Sequence, residues 1–139
     1  MTKIYISMPM RGRTDENIQK SFDKVEKLAR ILLDDDVVVV NPFKPHQAKS
    51  DKIPIRHDVQ ALADSISLLS LADHAFFVSE YYSYPGCTIE RDVCSFYNIP
   101  WDMFETKHIC PDIAVIREAA DAGCLVTPGN LTASKLASI

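Results

Sequence analysis

The stretch DDDVVVVNP, from Asp34 to Pro42, separates two patterns in the chain. Before it, apolar residues recur at helical spacing, and the acidic run Asp34–Asp36 ends that pattern. The four valines that follow, Val37–Val40, are typical of a strand that is buried on both faces of a parallel sheet. Asn41 and Pro42 then end the strand, because proline has no backbone N–H to give to a sheet.

The alternation of helix and strand continues on both sides of this stretch. Apolar runs predict further strands at Lys3–Ser7, His74–Ser79 and Ile99–Phe104. Helical spacing predicts helices that begin near Thr14, Ile55, Gly86 and Pro111. Such alternation is typical of β-α-β units with right-handed crossovers. We therefore expect an α/β fold, a single-domain Rossmann-like (flavodoxin-like) sandwich with a parallel sheet of four or five strands and helices on both faces.

Two of the predicted helices carry further signals. Thr14 is the expected N-cap of the first helix, since its hydroxyl can accept from a free backbone N–H in the first turn. The second helix is expected to turn one apolar face inward. That face consists of Val59, Leu62, Ala63, Ile66, Leu69 and Ser70.

Length and composition exclude several classes of protein. The 139 residues, of which 47% are hydrophobic, suit one domain over 1–139 with one core. A formal net charge of -4 without a long basic run argues against a nucleic-acid polymer as a partner. No apolar run approaches the ~20 residues of a membrane span, and no signal-peptide pattern opens the chain. We therefore expect a cytoplasmic protein that does not contact the membrane.

The cysteine pattern does not predict a metal site. Cys87, Cys94, Cys110 and Cys124 form no C-x-x-C pair and have no histidine at zinc-site spacing. We expect free, mostly buried thiols. Cys87 is near a helix N-terminus, which favours a thiolate, but it has no assignable histidine partner and is a weak candidate nucleophile.

Residues suited to chemistry follow three of the predicted strands, and the carboxyl ends of parallel strands meet at one edge of a sheet. Arg11 lies just before a helix, where a guanidinium and backbone N–H groups suit phosphate. Asp58 and Glu90 are each expected in the first turn of a helix. They are either ordinary charges at the positive end of the helix dipole or a working pair of carboxylates. Tyr84 and its neighbouring tyrosines are suited to stacking on a base or to covering the loop.

With these residues assembled, the chain resembles the nucleoside 2-deoxyribosyltransferase superfamily. It looks most like a small phage and bacterial branch described as a domain of unknown function, and it is similar to nucleoside 5′-monophosphate N-glycosidases. The similarity covers roughly residues 3–100, and 101–139 is a C-terminal extension. The motifs that carry it are YISMPMRG (5–12), NP (41–42), RHDVQAL (56–62), SLADHAFFVS (70–79) and SYPGCTIE (83–90).

The resemblance implies a set of site residues. Glu90 takes the place of the catalytic nucleophile, Asp58 that of the helper carboxylate, and Tyr5 that of the site tyrosine. The implied substrate- and phosphate-binding residues are Arg11, Gly12, Ser83, Tyr84 and Gly86.

Two positions depart from the family pattern. Met8 stands where a glycine is usual, which reduces how closely the backbone approaches a phosphate. The phosphate-binding serine is represented by Ser83, one place early, and Tyr84 occupies the expected position.

The activity that the resemblance implies is cleavage or transfer of the N-glycosidic bond of a nucleoside or nucleotide, without metal or cofactor. The implied partners are a small-molecule nucleoside or nucleotide and further copies of the chain, as a homodimer or higher homo-oligomer. Two alternatives stay open. One is a non-catalytic protein that binds a nucleotide or a nucleotide-derived metabolite. The other relates PGCTIE to the P-G-G-x-G-T-x-x-E loop of cytokinin-activating phosphoribohydrolases, of whose glycines only Gly86 is present.

Overall fold

The computed structural model describes residues 1–10, 13–44, 55–78 and 84–109, and at 55–58 it describes the backbone alone. Within these ranges strands and helices alternate along the chain. They are β1 (Thr2–Ser7), α1 (Asp15–Leu33), β2 (Val37–Val39), α2 (Ile55–Leu69), β3 (His74–Val78), α3 (Pro85–Phe96), β4 (Trp101–Phe104) and α4 (Thr106–Ile109). The helix predicted to begin at Pro111 lies outside the described residues.

The four strands are parallel and lie in the order β2-β1-β3-β4. Ile4 pairs with Val39 on one side and with His74 on the other, so β1 is hydrogen-bonded along both edges. The order is that of flavodoxin-like sheets, in which the winding direction reverses between β1 and β3. The predicted α/β fold with a parallel sheet is therefore confirmed. In such folds the carboxyl ends of β1 and β3 form the switch point at which ligands bind.

Alternating side chains divide the core between the two faces of the sheet. Ile6 of β1 and Phe76 of β3 pack on one face, in the cluster that contains the buried residues of α1 and Ile109 of α4. Tyr5 of β1 and Phe77 of β3 point to the opposite face, in the cluster that contains residues of α2 and α3. This division follows from the period of two along a strand. Helices cover both faces, as predicted, and Tyr5 faces the layer formed by α2 and α3.

The ends of α1 are defined by local hydrogen bonding and backbone geometry. Thr14 Oγ1 accepts a hydrogen bond from the backbone N–H of Asn17 at 3.2 Å, which confirms the predicted N-cap. At the other end Asp34 adopts a left-handed conformation with φ of 50°, as residues that terminate helices often do. The helix thus ends where the acidic run begins.

The prediction that the valine run is buried on both faces is wrong. The strand comprises Val37–Val39, and it lies at one end of the described sheet. Val37 is 4% exposed and packs with the core below α1, whereas Val38, on the opposite face, is 42% exposed. The β-branched run reflects a general preference of valine for strands and does not report the position of a strand in its sheet.

The predicted inner face of α2 is partly wrong. Leu69 is buried, and Leu62 and Ile66 are partly buried, as expected. Val59 and Ala63 are exposed, because the helix turns the side that carries Leu62, Ile66 and Leu69 towards the sheet and α3. Ser70 is also exposed and lies beyond the end of the helix.

His74 has the structural role that its position in a strand suggests. Its Nε2 atom lies 2.8 Å from Oδ2 of Asp102, so the pair links β3 to β4. The imidazole ring also stacks on Phe76, with 4.7 Å between the ring centroids. The contact with Asp102 joins β3 to β4 at the side of the sheet away from β2.

Asn41 extends the pairing of β1 beyond the last residue of β2. Its side-chain Nδ2 donates to the carbonyl oxygen of Ile6 at 2.7 Å, and its Oδ1 accepts from the N–H of Ile6 at 2.9 Å. The amide side chain thus replaces a strand residue and satisfies both backbone groups of Ile6. It holds the carboxyl end of β1 in place just before Ser7.

We expect Asn41→Ala to lower the free energy of unfolding by about 1–3 kcal/mol, because two partly buried backbone groups lose their partner. Chemical denaturation of the variant and the wild type measures the difference. Gln60→Ala is the matched control, since the hydrogen bond from Gln60 to Asp64 lies on the exposed surface of one helix. Its effect should stay within about 0.5 kcal/mol. Equal losses in the two variants would contradict the role given to Asn41.

A second pair of variants tests the exposure of β2. Val37→Thr places a hydroxyl in the core without a partner and should cost about 1–3 kcal/mol. Val38→Thr makes the same substitution on the exposed face and should lower the free energy of unfolding by less than about 0.5 kcal/mol. Denaturation midpoints of the two variants give the comparison, and a loss at Val38 as large as at Val37 would show that β2 is covered on both faces.

Candidate functional site

The carboxylate of Glu90 lies at the centre of the candidate site. α3 begins at Pro85, a favourable residue for the first position of a helix, and Glu90 is therefore in its second turn. The prediction that Glu90 stands in the first turn is wrong, since the first turn of α3 carries no acidic residue. The influence of the helix dipole falls off within the first turn. A simple dipole role therefore explains Glu90 poorly.

Glu90 is buried, with 7% of its surface exposed. Burial raises the pKa of its carboxyl to about 7, because a charge is poorly solvated in the interior. The hydroxyls of Tyr5 and Ser7 oppose this effect and lower the pKa, but they do not cancel it. The acid form of Glu90 is therefore favoured to a higher pH than in an exposed glutamate.

Tyr5 connects the strand to both helices of its layer. It is buried, and its pKa is raised far above the usual value, first by burial and then by the negative charge of Glu90. The hydroxyl of Ser65 on α2 has the opposite, smaller effect. Tyr5 thus remains a neutral phenol with an O–H that can donate to Glu90. The structure brings together Tyr5 and Glu90, two of the three predicted catalytic residues.

Ser7 is a site residue that the sequence analysis missed. It is 3% exposed and lies two residues after Tyr5, so both side chains point to the same face of the sheet. Ser7 Oγ is near enough to Glu90 to lower its pKa, yet neither Ser7 Oγ nor Glu90 Oε2 completes a hydrogen bond to any described residue. The two side chains therefore lie close together, but without the distance and angle of a well-formed hydrogen bond. The available signal was a small polar residue in phase with Tyr5.

Two free cysteines lie close to this site. Cys87 and Cys94 of α3 are buried and are not disulfide-bonded, as predicted, and Cys110 and Cys124 lie outside the described residues. Burial, and secondarily the charge of Glu90, raises the pKa of the Cys94 thiol to about 11. Cys94 is therefore a neutral thiol that packs beside the carboxylate.

Gly86 of α3 lies close to Leu62 of α2. A methyl group at Gly86 would meet Leu62 Cδ1 at 4.0 Å, which is ordinary contact. Asp58 precedes Leu62 by four residues and Ser65 by seven, the spacing of one helix face. The backbone of Asp58 thus belongs to the face of α2 next to the site, and its side chain lies outside the described residues.

The loop after β1 is held by an arginine that the sequence analysis did not single out. Arg13 donates from Nη1 to the carbonyl oxygen of Pro9 at 2.9 Å and from Nη2 to that of Asn17 at 3.1 Å. Met8, at the start of this loop, is buried in the core below α1. Arg13 therefore ties the loop to α1, while the predicted phosphate-binding residues Arg11 and Gly12 lie outside the described residues.

The remaining predicted binding residues are placed in part. Tyr84 is half-buried directly before α3, and its carbonyl oxygen accepts from the N–H of Thr88 at 3.1 Å. Ser83 lies outside the described residues. A shallow cavity of about 290 Å³ occurs on the other face of the sheet, lined by residues such as Phe22, Val37 and Phe43, and it has no part in this site.

Comparison of the chain with models of known protein families, with curated proteins and with solved structures gives no match. Among the described residues, no group of three histidine, cysteine, aspartate or glutamate side chains is placed to hold a metal ion. None of the helices in the described ranges combines the length and apolar character that crossing a bilayer requires. The arguments about function therefore depend on the geometry of the site and on the sequence motifs.

The raised pKa of Glu90 predicts a specific dependence of stability on pH. Its pKa moves from 4.5 to about 7 on folding, so the folded chain keeps a proton that the unfolded chain releases between these values. The free energy of unfolding should therefore fall as pH rises from 4.5 to 7, by about 3 kcal/mol in total. Glu90→Gln lacks this group and should lack this part of the decline.

Urea denaturation of wild type and Glu90→Gln at pH 5, 6, 7 and 8 measures the effect. Glu16→Gln, at an exposed position of α1, is the control and should follow the wild type. Parallel curves for wild type and Glu90→Gln would show that Glu90 is ionised in the folded protein throughout this range.

Proposed function

We propose that the chain cleaves or transfers the N-glycosidic bond of a nucleoside or nucleotide, with Glu90 as the catalytic carboxylate. The observation that carries the proposal is a buried carboxylate beside a neutral tyrosine at the switch point of a flavodoxin-like sheet. Perturbed carboxylates at such points are typical of functional sites, since burying a charge without a use is costly.

The proposed chemistry uses the ionised form of Glu90. As the bond between C1′ and the base nitrogen breaks, its electron pair leaves with the base, and the sugar develops oxocarbenium character. Glu90 stabilises this cation or forms a covalent bond to C1′. The base nitrogen takes a proton, for which Asp58 is the proposed donor. Water or a second base then takes the sugar, giving hydrolysis or transfer.

Tyr5 has a positioning role in this proposal. Its O–H remains protonated and faces the carboxylate, so it can orient Glu90 and stabilise its charged form. A hydrogen bond from Tyr5 to Glu90 keeps the carboxylate from rotating into a position that is unproductive for attack on C1′. Burial makes this interaction stronger than it would be in water.

Membership of the nucleoside 2-deoxyribosyltransferase superfamily is part of the proposal. It is supported by the strand order and by the meeting of Tyr5 and Glu90, which lie 85 residues apart in the sequence. A 5′-phosphate is proposed to bind at the loop of Arg11 and Gly12, next to the N-terminus of α1. Ser83, Tyr84 and Gly86 are proposed to contact the substrate, and a homodimer or higher oligomer is proposed on the resemblance alone.

A second candidate function is binding of a nucleotide or nucleotide-derived metabolite without turnover. The raised pKa of Glu90 favours it, since raising the pKa favours the acid form, which does not attack C1′. Met8 also favours it, because this residue is part of the core where the resembling family has a glycine.

The central prediction concerns Glu90→Gln. The amide has nearly the same shape, but it carries no charge and cannot form the bond to C1′. We expect base release from nucleosides or nucleoside 5′-monophosphates to fall about 100-fold or more. Chromatography of free base at matched protein concentration measures the rates, and a melting curve of each variant shows that it is folded.

Glu16→Gln is again the control and should keep the wild-type rate, because Glu16 is exposed on α1, where it pairs with Lys20 of the same helix. An active wild type with an equally active Glu90→Gln would refute the catalytic assignment. Ligand binding without release of base by the wild type would favour the second function.

A further inference from the structure

The site contains two buried polar atoms whose hydrogen bonding is incomplete. Ser7 Oγ and Glu90 Oε2 have no partner among the described residues, although both side chains are more than nine-tenths buried. A buried polar atom without a partner destabilises the folded state, so most proteins contain few of them. Here two such atoms come from different elements, β1 and α3, and belong to neighbouring side chains. Packing alone does not favour this arrangement.

Another buried serine in the same chain shows the usual solution. Ser21 on α1 is 0% exposed, but its hydroxyl donates to the carbonyl oxygen of Asn17 at 3.0 Å and accepts from Arg13. Ser21 is therefore fully accommodated by the protein. The contrast indicates that the hydroxyl of Ser7 has a role other than stabilising the free chain.

The position of Ser7 indicates what that role is. It is the last residue of β1, and it lies on the face that carries Tyr5 and meets α3. The switch point between β1 and β3 is where ligands enter folds of this type. Ser7 ends β1 at this switch point, and Glu90 of α3 is near enough for the Ser7 hydroxyl to lower its pKa.

We propose that Ser7 is a ligand-binding residue, and that Ser7 Oγ and Glu90 Oε2 together hold one hydroxyl group of the sugar of the ligand. A hydroxyl has one hydrogen to donate and lone pairs to accept with. It can donate to the carboxylate and accept from the serine, so that both buried atoms gain a partner at once. The proposal builds on the proposed function in taking a sugar-bearing ligand, and it holds for turnover and for binding alike.

The first experiment compares the stability of the free variants Ser7→Ala and Ser21→Ala. Removing an unpaired hydroxyl should leave the melting temperature of Ser7→Ala equal to or above that of the wild type. Ser21→Ala removes a hydroxyl with two partners and should melt about 3 °C lower or more. A fall at Ser7 as large as at Ser21 would show that its hydroxyl already has a partner in the free protein, and this would overturn the proposal.

The second experiment measures the effect of Ser7→Ala on the ligand. The probes are the common ribonucleosides, 2′-deoxyribonucleosides and their 5′-monophosphates, with the free bases as controls that lack the sugar. For a compound that the wild type cleaves, kcat/KM should fall roughly 10-fold or more, and for one that it only binds, calorimetry should show a similar loss of affinity. Binding of a free base should be unchanged.

The outcomes separate this inference from the proposed function. If the wild type releases base and Ser7→Ala does so with the same kcat/KM, Ser7 is not a ligand-binding residue, while the proposed activity stands. If the wild type binds a nucleoside without cleaving it and Ser7→Ala loses that binding, the activity falls and the role of Ser7 stands. If the wild type neither cleaves nor binds any probe, both are wrong.

Discussion

The placement of β1 between β2 and β3 is the constraint on which the site depends. Both edges of the strand are hydrogen-bonded, and side chains on both of its faces are buried in the core. Its residues therefore have no freedom to shift along or across the sheet. Because Tyr5 and Ser7 belong to this strand, their hydroxyls are held at fixed positions. Glu90 reaches them from α3, which packs on the same layer. The geometry around the carboxylate is thus set by an interior strand of the sheet.

This rigid setting has an energetic cost that is concentrated in one residue. Ionising a carboxyl that is buried and incompletely hydrogen-bonded costs free energy, and this cost raises the pKa of Glu90. The neighbouring Tyr5 and Cys94 are also held in their neutral forms by the same surroundings. At neutral pH both of these groups are therefore uncharged hydrogen-bond donors beside the carboxylate.

Much of the fold was predictable from local patterns, because strand and helix periodicity is written into neighbouring residues. The parallel sheet and the N-cap at Thr14 follow from such patterns. The exposure of Val38 does not, since the order of strands in a sheet depends on contacts between distant segments. Glu90 was predicted in the first turn of its helix and lies in the second turn. The start of α3 was misplaced because Pro85 is as compatible with a loop as with the first position of a helix. Ser7 was missed for a different reason, since no local pattern reports whether a hydroxyl has a partner.

The side chain of Asn41 also makes the position of β1 less dependent on the connection between β2 and α2. The two hydrogen bonds that Asn41 makes to Ile6 come from its own side chain, so this contact at the end of β1 does not require a particular connection to α2. The length and composition of the connection to α2 can then change during evolution without moving the strand that carries Tyr5 and Ser7. An insertion after position 43 would then lengthen this connection and leave Tyr5 and Ser7 in place. Because of Asn41, the length of this connection can vary while the position of β1 stays the same.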